Sequence, residues 1–303
     1  MKSKKNEALS IILESLFNPY RNRVPDVGII TTAMQAKGII DNEKSIVNDH
    51  IAFRTLGVPY LGIASFEKIL MHYGYQKMEP YFFEQKKLDA FWYAPPEEHF
   101  PRVFLSELRV KDLTAESRQI IKKYTGHIQA DPVDSIDLDD ADAVSDFLYR
   151  PLWQLPSVQD YQALADESEY AAWTLYNRYY LNHYTISIHA LPEGYNTLES
   201  FNRFLESEGI VLNTSGGKIK TSADGLLRQS STVAKLTDAT FAGNESLSIA
   251  GSYVEFAERL PLPKYGHLPK NELTRSMRRE GFESGNADKI FESTYNEQTK
   301  KSN

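Results

Sequence analysis

Cysteine is absent from the sequence. Disulfides, cysteine-ligated zinc, iron–sulfur clusters and thiol nucleophiles are thereby excluded. An excess of positive charge is missing too: 34 Lys+Arg stand against 41 Asp+Glu, a formal net charge of −7. That balance disfavours a general nucleic-acid binder, because neutralising phosphates needs a basic surface. No run approaches 18 uncharged apolar residues, so no membrane span is expected. The opening Met-Lys-Ser-Lys-Lys precedes an apolar stretch interrupted by Glu14, which reads as an amphipathic helix rather than a signal sequence and predicts a cytoplasmic protein. Three catalytic signatures are also missing. Gly216-Gly217-Lys218 lacks the spacing of a phosphate loop, and neither a G-x-S-x-G elbow nor an H-E-x-x-H helix occurs.

What is present fits a globular chain. Hydrophobic residues make up 41% and charged residues 25% of 303 residues. With cysteine gone, any transition-metal site must come from the seven histidines and the carboxylates. Residues 6–18 carry apolar side chains at helical spacing, and Pro19 is expected to end that helix. A strand is predicted over 46–56 and a helix over 64–74, followed by short β runs at 75–83, 88–93 and 103–108. Residues 110–180 are mainly helical. Strand character returns at 183–190, a helix at 197–208, and strands near 210–220, 225–233 and 248–257. From about Lys270 the sequence is polar.

The two β-rich stretches repeat one another. Ser65-Phe66-Glu67-Lys68-Ile69-Leu70 leads to Gly74, and Ser200-Phe201-Asn202-Arg203-Phe204-Leu205 leads to Gly209, a shared S-F-x-[KR]-x-L-x-x-x-G. A histidine-led strand precedes each copy, at His50 and His183, and each copy runs on to a strand carrying a carboxylate, Glu107 in the first and Glu255 in the second. Repeats fix architecture. The expected fold is α+β: two β-α-β-β-β units forming a curved mixed sheet around a shared site, with additional helices. The chain then divides into a first unit at 40–109, a helical insertion at 110–180, a second unit at 181–265 and a polar C-terminal tail at 266–303, together one functional domain over 1–303.

Two histidines and a carboxylate with open coordination positions suit non-haem Fe(II) chemistry. His50 and His183 occupy equivalent strands, which lifts them above the ordinary case of a hydrogen-bonded core histidine. Glu255 is the candidate carboxylate. Glu258 competes with it from the opposite face of the same strand, and Glu107 is a further contender. Arg54 lies four residues after His50, on the same face of its strand, and an arginine there can grip a substrate carboxylate bidentately. Gln229, Ser231 and Thr232 are polar groups in a β run near the proposed site. His189 lies six residues after His183, so strand alternation predicts the same face and a supporting role.

Together, Asn48-Asp49-His50-Ile51-Ala52-Phe53-Arg54-Thr55, Asn182-His183, Gly225-Leu226-Leu227 with Gln229-Ser230-Ser231-Thr232, and Ser252-Tyr253-Val254-Glu255-Phe256-Ala257-Glu258-Arg259 resemble the DUF1338 family, whose characterised members are 2-oxoadipate dioxygenase/decarboxylases. The last two segments are also similar to 4-hydroxyphenylpyruvate dioxygenase, where the equivalent glutamate binds iron, and this selects Glu255 over Glu258. Both families belong to the vicinal oxygen chelate superfamily. The resemblance implies Fe(II) held by His50, His183 and Glu255, though Zn or Ni could occupy the site in a purified sample. It implies that a 2-oxo acid loses CO2 and is hydroxylated by O2, with Arg54 holding a substrate carboxylate as a catalytic and binding residue and Gln229 and Thr232 assisting binding. For 2-oxoadipate the product is 2-hydroxyglutarate, in the context of lysine catabolism. An oxygen-independent glyoxalase-type isomerase or hydrolase is the alternative on the same fold, and a metal-free binding protein is a third. No nucleic-acid or membrane partner is expected, and the oligomeric state is left open.

Overall fold

Strand β1 (Asn48–Leu56) alternates His50, Ala52 and Arg54 on one face with Ile51, Phe53 and Thr55 on the other, and both faces are buried. The computed structural model describes residues 2–301. After β1 come α3 (Ile63–His72), β2 (Gln76–Phe83), β3 (Leu88–Ala94) and β4 (Arg102–Leu108). The second unit runs β5 (His183–Ser187), α8 (Leu198–Ser207), β6 (Lys220–Thr221), β7 (Leu227–Ser231) and β10 (Tyr253–Arg259). A separate hairpin, β8 (Leu236–Thr240) with β9 (Ser246–Ala250), is inserted before β10. The expected strand at 248–257 is thus two elements, and the one at 210–220 shrinks to β6.

All but the hairpin join one curled sheet in the order β2-β3-β4-β1-β5-β10-β7-β6. Its symmetry is explicit in the pairing. β1 and β4 are parallel, as are β5 and β10, while β3–β4 and β7–β10 are antiparallel. The two units meet where β1 pairs antiparallel with β5. Their first strands are therefore neighbours at the centre, which is what brings His50 beside His183.

The register corrects one equivalence drawn from sequence. His50 pairs with Arg102 and His183 with Tyr253, so Glu107 corresponds to Glu258, not to Glu255. Those two glutamates do the same local job. Glu107 Oε2 accepts the backbone N–H of Ile63 at 2.7 Å, and Glu258 Oε2 accepts that of Leu198 at 3.1 Å. Each satisfies an orphan donor in the first turn of the helix of its own unit. Gly62 makes the first contact feasible. Its φ is +81°, and a Cβ there would meet Glu107 Oε2 at 2.0 Å.

Four helices fill the region between the units: α4 (Ala115–Thr125), α5 (Ala141–Tyr149), α6 (Val158–Glu167) and α7 (Glu169–Asn177). At the N-terminal end, α1 (Lys2–Arg23) passes through Pro19 instead of stopping there, and α2 (Pro25–Ala36) follows. Proline at 19 removes the donor for the Ser15 carbonyl, and the Tyr149 hydroxyl replaces it at 2.7 Å. A tertiary contact thus overrides the local breaker. The segment after 266 is not a polar tail. It includes α9 (Ser284–Phe291) and α10 (Asn296–Thr299), and buries Phe282, Ile290, Phe291, Thr294 and Gln298. No helix among the described residues is long and apolar enough to cross a membrane.

Candidate metal centre

His50, His183 and Glu255 converge on the concave face of the sheet, with one ligand atom from each lying within 4.8 Å of the others. All three side chains are buried. His183 Nε2 lies 3.1 Å from Glu255 Oε2, and His50 Nε2 lies 3.4 Å from Glu255 Oε1. β1 supplies the first histidine, β5 the second, and β10 the carboxylate, so neither unit alone holds the set.

The other ring nitrogen of each histidine is occupied. His50 Nδ1 is 2.8 Å from Asp49 Oδ1, and His183 Nδ1 is 3.1 Å from Asn182 Oδ1. An Asn oxygen only accepts, so His183 carries its proton on Nδ1 and turns the Nε2 lone pair toward Glu255. That Nε2 is buried and makes no hydrogen bond among the described residues. A buried lone pair facing a carboxylate is an arrangement that one cation could satisfy from both sides. The donor set, two imidazoles and one carboxylate, fits a divalent transition metal.

Asp49 extends the design outward. Its carboxylate accepts from Arg259 Nε at 2.7 Å and Nη2 at 2.9 Å, and from Arg102 Nη1 at 3.3 Å. Arg102 Nε in turn donates to Glu280 Oε2 at 2.7 Å. Burial raises the Asp49 pKa, but the two guanidiniums outweigh it and hold the carboxyl well below its usual value. Gln229 Nε2 donates to Glu255 Oε1 at 2.6 Å, and Asn286 Nδ2 donates to Gln229 Oε1 at 3.0 Å, so the carboxylate's orientation is fixed by a chain reaching into α9.

Burial lowers the proton affinity of both histidines. At His183 it prevails, whereas at His50 the Glu255 and Asp49 carboxylates overcome it and raise the pKa above the ordinary histidine value. A proton on His50 Nε2 competes with the metal. Metal affinity is therefore expected to be highest above that raised value, and to fall by about tenfold per pH unit below it. Metal titration followed by elemental analysis across pH 5–8 checks this; affinity flat over that range would contradict it.

The remaining candidates separate. Arg54 is buried on the same face as His50. Its Nη1 donates to Thr294 Oγ1 at 2.9 Å and Nη2 to the Phe291 carbonyl at 3.1 Å, while Nε has no hydrogen-bond partner among the described residues. Tyr170 and Trp173 each present a ring face 5.0 Å from its guanidinium carbon. Ser231 pairs in register with Glu255, and its Oγ meets Ser293 Oγ at 2.9 Å. Thr232 is not at the site, because its Oγ1 accepts the Val254 N–H at 3.2 Å. Glu107 faces away with Thr55. His189 is also elsewhere: β5 ends at Ser187 and a 3₁₀ turn covers 188–190, so strand alternation no longer applies. Its Nδ1 accepts the Arg259 N–H at 3.2 Å.

Sequence reasoning assigned no role to Asp49, Arg102, Asn182 or Arg259, nor to the roof formed by Phe282, Ile290 and Phe291. One signal was available: His50 and His183 each directly follow a residue with a side-chain carbonyl oxygen. The cavity beneath that roof, lined also by Phe104 and Tyr253, measures about 20 Å³. That holds about one water.

Comparison with known proteins places this geometry in context. The family model described as 2-oxoadipate dioxygenase/decarboxylase matches residues 12–268. The chain is 42% identical over 298 residues to the chloroplastic 2-oxoadipate dioxygenase/decarboxylase of Arabidopsis thaliana, covering 95% of this chain and 77% of that protein. It is 45% identical over 268 residues to the chloroplastic/amyloplastic enzyme of Oryza sativa subsp. japonica, covering 84% of this chain and 70% of that protein. The crystal structure of hydroxyglutarate synthase from Oryza sativa in complex with 2-oxoadipate superposes with a TM-score of 0.88 at 39% identity, over 99% of this chain and 96% of that one. The plastid names of the two plant relatives overturn the expectation of a cytoplasmic protein, a default drawn from the character of the first residues and the lack of a long apolar run. With the family model matched over most of its length and these relatives at hand, the chain belongs to the 2-oxoadipate dioxygenase/decarboxylase family.

Proposed function

We propose that this protein is an Fe(II)-dependent dioxygenase that converts 2-oxoadipate and O2 to 2-hydroxyglutarate and CO2. The observation that carries the reading is the buried His50–His183–Glu255 set, with the unpartnered His183 Nε2 facing the carboxylate, in a chain of this family. Bound there, Fe(II) supplies the redox chemistry that lets dioxygen react with a 2-oxo acid.

The chain's own residues do the rest. Asp49 and Asn182 hold the two imidazoles with Nε2 inward, and Gln229 holds Glu255. In this reading Gln229 orients a ligand rather than touching substrate. Arg54 is the anchor for the substrate's distal carboxylate, its fork offering paired donors once it releases Thr294 and the Phe291 carbonyl. Phe104, Phe282, Ile290 and Phe291 keep water from the reacting centre. Because each unit contributes ligands, the chain works as one functional domain, with unit boundaries near 40–109 and 181–265.

The test is turnover by metal-stripped protein after anaerobic reloading. Fe(II) with 2-oxoadipate in air is expected to release CO2, and Zn(II) or Ni(II) is not. Turnover with Zn(II) or Ni(II) in the absence of oxygen would instead support a glyoxalase-type activity.

A further inference from the structure

Tyr253 ends in a hydroxyl that the mechanism above does not use. It lies on β10 two residues before Glu255, so the two side chains share the concave face. In register it sits opposite His183, which in turn sits opposite Ala52 of β1. Its ring packs on the His183 ring, with centroids 4.8 Å apart and planes inclined by 34°. Tyr253 lines the same cavity as His50, His183 and Glu255. The residue is 0% exposed, and its hydroxyl makes no hydrogen bond among the described residues. A phenol is protonated at neutral pH. A buried O–H without an acceptor is costly and asks for one.

A second orphan donor belongs to the same cluster. Arg54 lies two residues beyond Ala52 on β1, so the row of Ala52, His183 and Tyr253 runs between Glu255 and Arg54. Arg54 Nε is the donor that this side chain has free even before Nη1 and Nη2 release Thr294 and the Phe291 carbonyl. The Arg54 charge acts on the Tyr253 hydroxyl and on His183, and the Glu255 charge acts on that hydroxyl from the metal side. Arginine accepts no hydrogen bond, so its approach leaves the phenol O–H unsatisfied. A carboxylate satisfies both groups, because it has one oxygen for Nε and another for the phenol.

We infer that Tyr253 is a substrate-binding residue, donating its phenol O–H to the distal carboxylate that Arg54 anchors. The inference rests on the dicarboxylate reading above. It follows that Tyr253 contributes to the choice of a dicarboxylic over a monocarboxylic 2-oxo acid.

The experiment compares Tyr253→Phe with the unaltered holoenzyme, on 2-oxoadipate and on 2-oxohexanoate, which has the same chain length but no distal carboxylate. The change removes one oxygen and keeps the ring on His183. It is expected to raise KM for 2-oxoadipate relative to that for 2-oxohexanoate by about tenfold or more, the scale of one lost hydrogen bond to a charged group. Metal content should stay constant, and the thermal midpoint without substrate should hold or rise, because an unsatisfied buried hydroxyl has gone. A KM ratio that stays the same, including the case where kcat falls equally for both acids, would overturn the proposal. So would a midpoint that falls, since the hydroxyl would then be serving the fold. If the unaltered protein turns over neither acid, the dioxygenase reading fails by itself. Thermal protection by adipate against hexanoate then decides the role of Tyr253. Selective protection by adipate that is lost in Tyr253→Phe supports it. Protection that is equal in the two proteins, or absent from the unaltered one, sinks it.

Discussion

Glu255→Gln is expected to abolish turnover while leaving the protein folded. The change is isosteric but removes the only anionic member of the metal set, and metal Lewis acidity and templating contribute several kcal/mol to such reactions. At about 1.4 kcal/mol per factor of ten, kcat/KM should fall by about 10³-fold or more. Bound metal should fall with it. The new amide is also a poor partner for its neighbour, since Gln229 Nε2 now donates to a carboxylate oxygen at 2.6 Å. His183→Ala should act in the same direction through loss of the β5 ligand. Elemental analysis beside activity checks both variants. Full activity in either one would remove the triad from the account.

Asp49→Ala should produce the largest loss of stability. The carboxylate sits between His50, Arg259 and Arg102. Arg259 is 1% and Arg102 2% exposed, so their charges cannot be solvated in its absence. Breaking a buried pair by removing one partner costs about 3–5 kcal/mol, read as a lower urea midpoint. Freed from Asp49, His50 can also adopt the wrong tautomer, which should weaken metal binding by about 10–100-fold. Asp49→Asn divides the two effects. It removes the buried anion that pairs with Arg259 and Arg102, leaving Arg102 only Glu280, but keeps a carbonyl oxygen for His50 Nδ1, as Asn182 already does for His183, so stability should fall far more than metal affinity. The sign with pH follows from the same contacts. A folded-state pKa below the unfolded value of about 3.9 means that this stabilisation is present above pH 4 and is lost as pH falls toward the folded-state value. An Asp49→Ala midpoint equal to that of the unaltered protein would refute the role assigned to this network.

The convergence of His50 and His183 was legible because a repeat made two ordinary-looking strand residues equivalent, and the sheet order then placed them side by side. Glu255 was legible only through family resemblance, since Glu258 shares its strand and only three-dimensional register distinguishes their faces. Failures arose where one tertiary contact decided a local outcome. His189 lost its strand parity to a 3₁₀ turn, and Pro19 was absorbed by the Tyr149 hydroxyl. The roof over the metal centre was hidden for a related reason. Its buried side chains are widely spaced among charged residues in 280–299, and their partners lie far away in sequence, as with Arg54 and Thr294. No local pattern encodes a contact of that kind.

The central claim is that one buried metal set couples oxygen to the loss of a carboxyl group. Its most direct test is a single reaction: Fe(II)-loaded protein with 2-oxoadipate under isotopically labelled dioxygen, with oxygen uptake, CO2 release and product mass read together. The account predicts one CO2 released for each O2 consumed, and 2-hydroxyglutarate carrying label from the gas. Product that forms equally well without oxygen, or that carries oxygen from water alone, would contradict it.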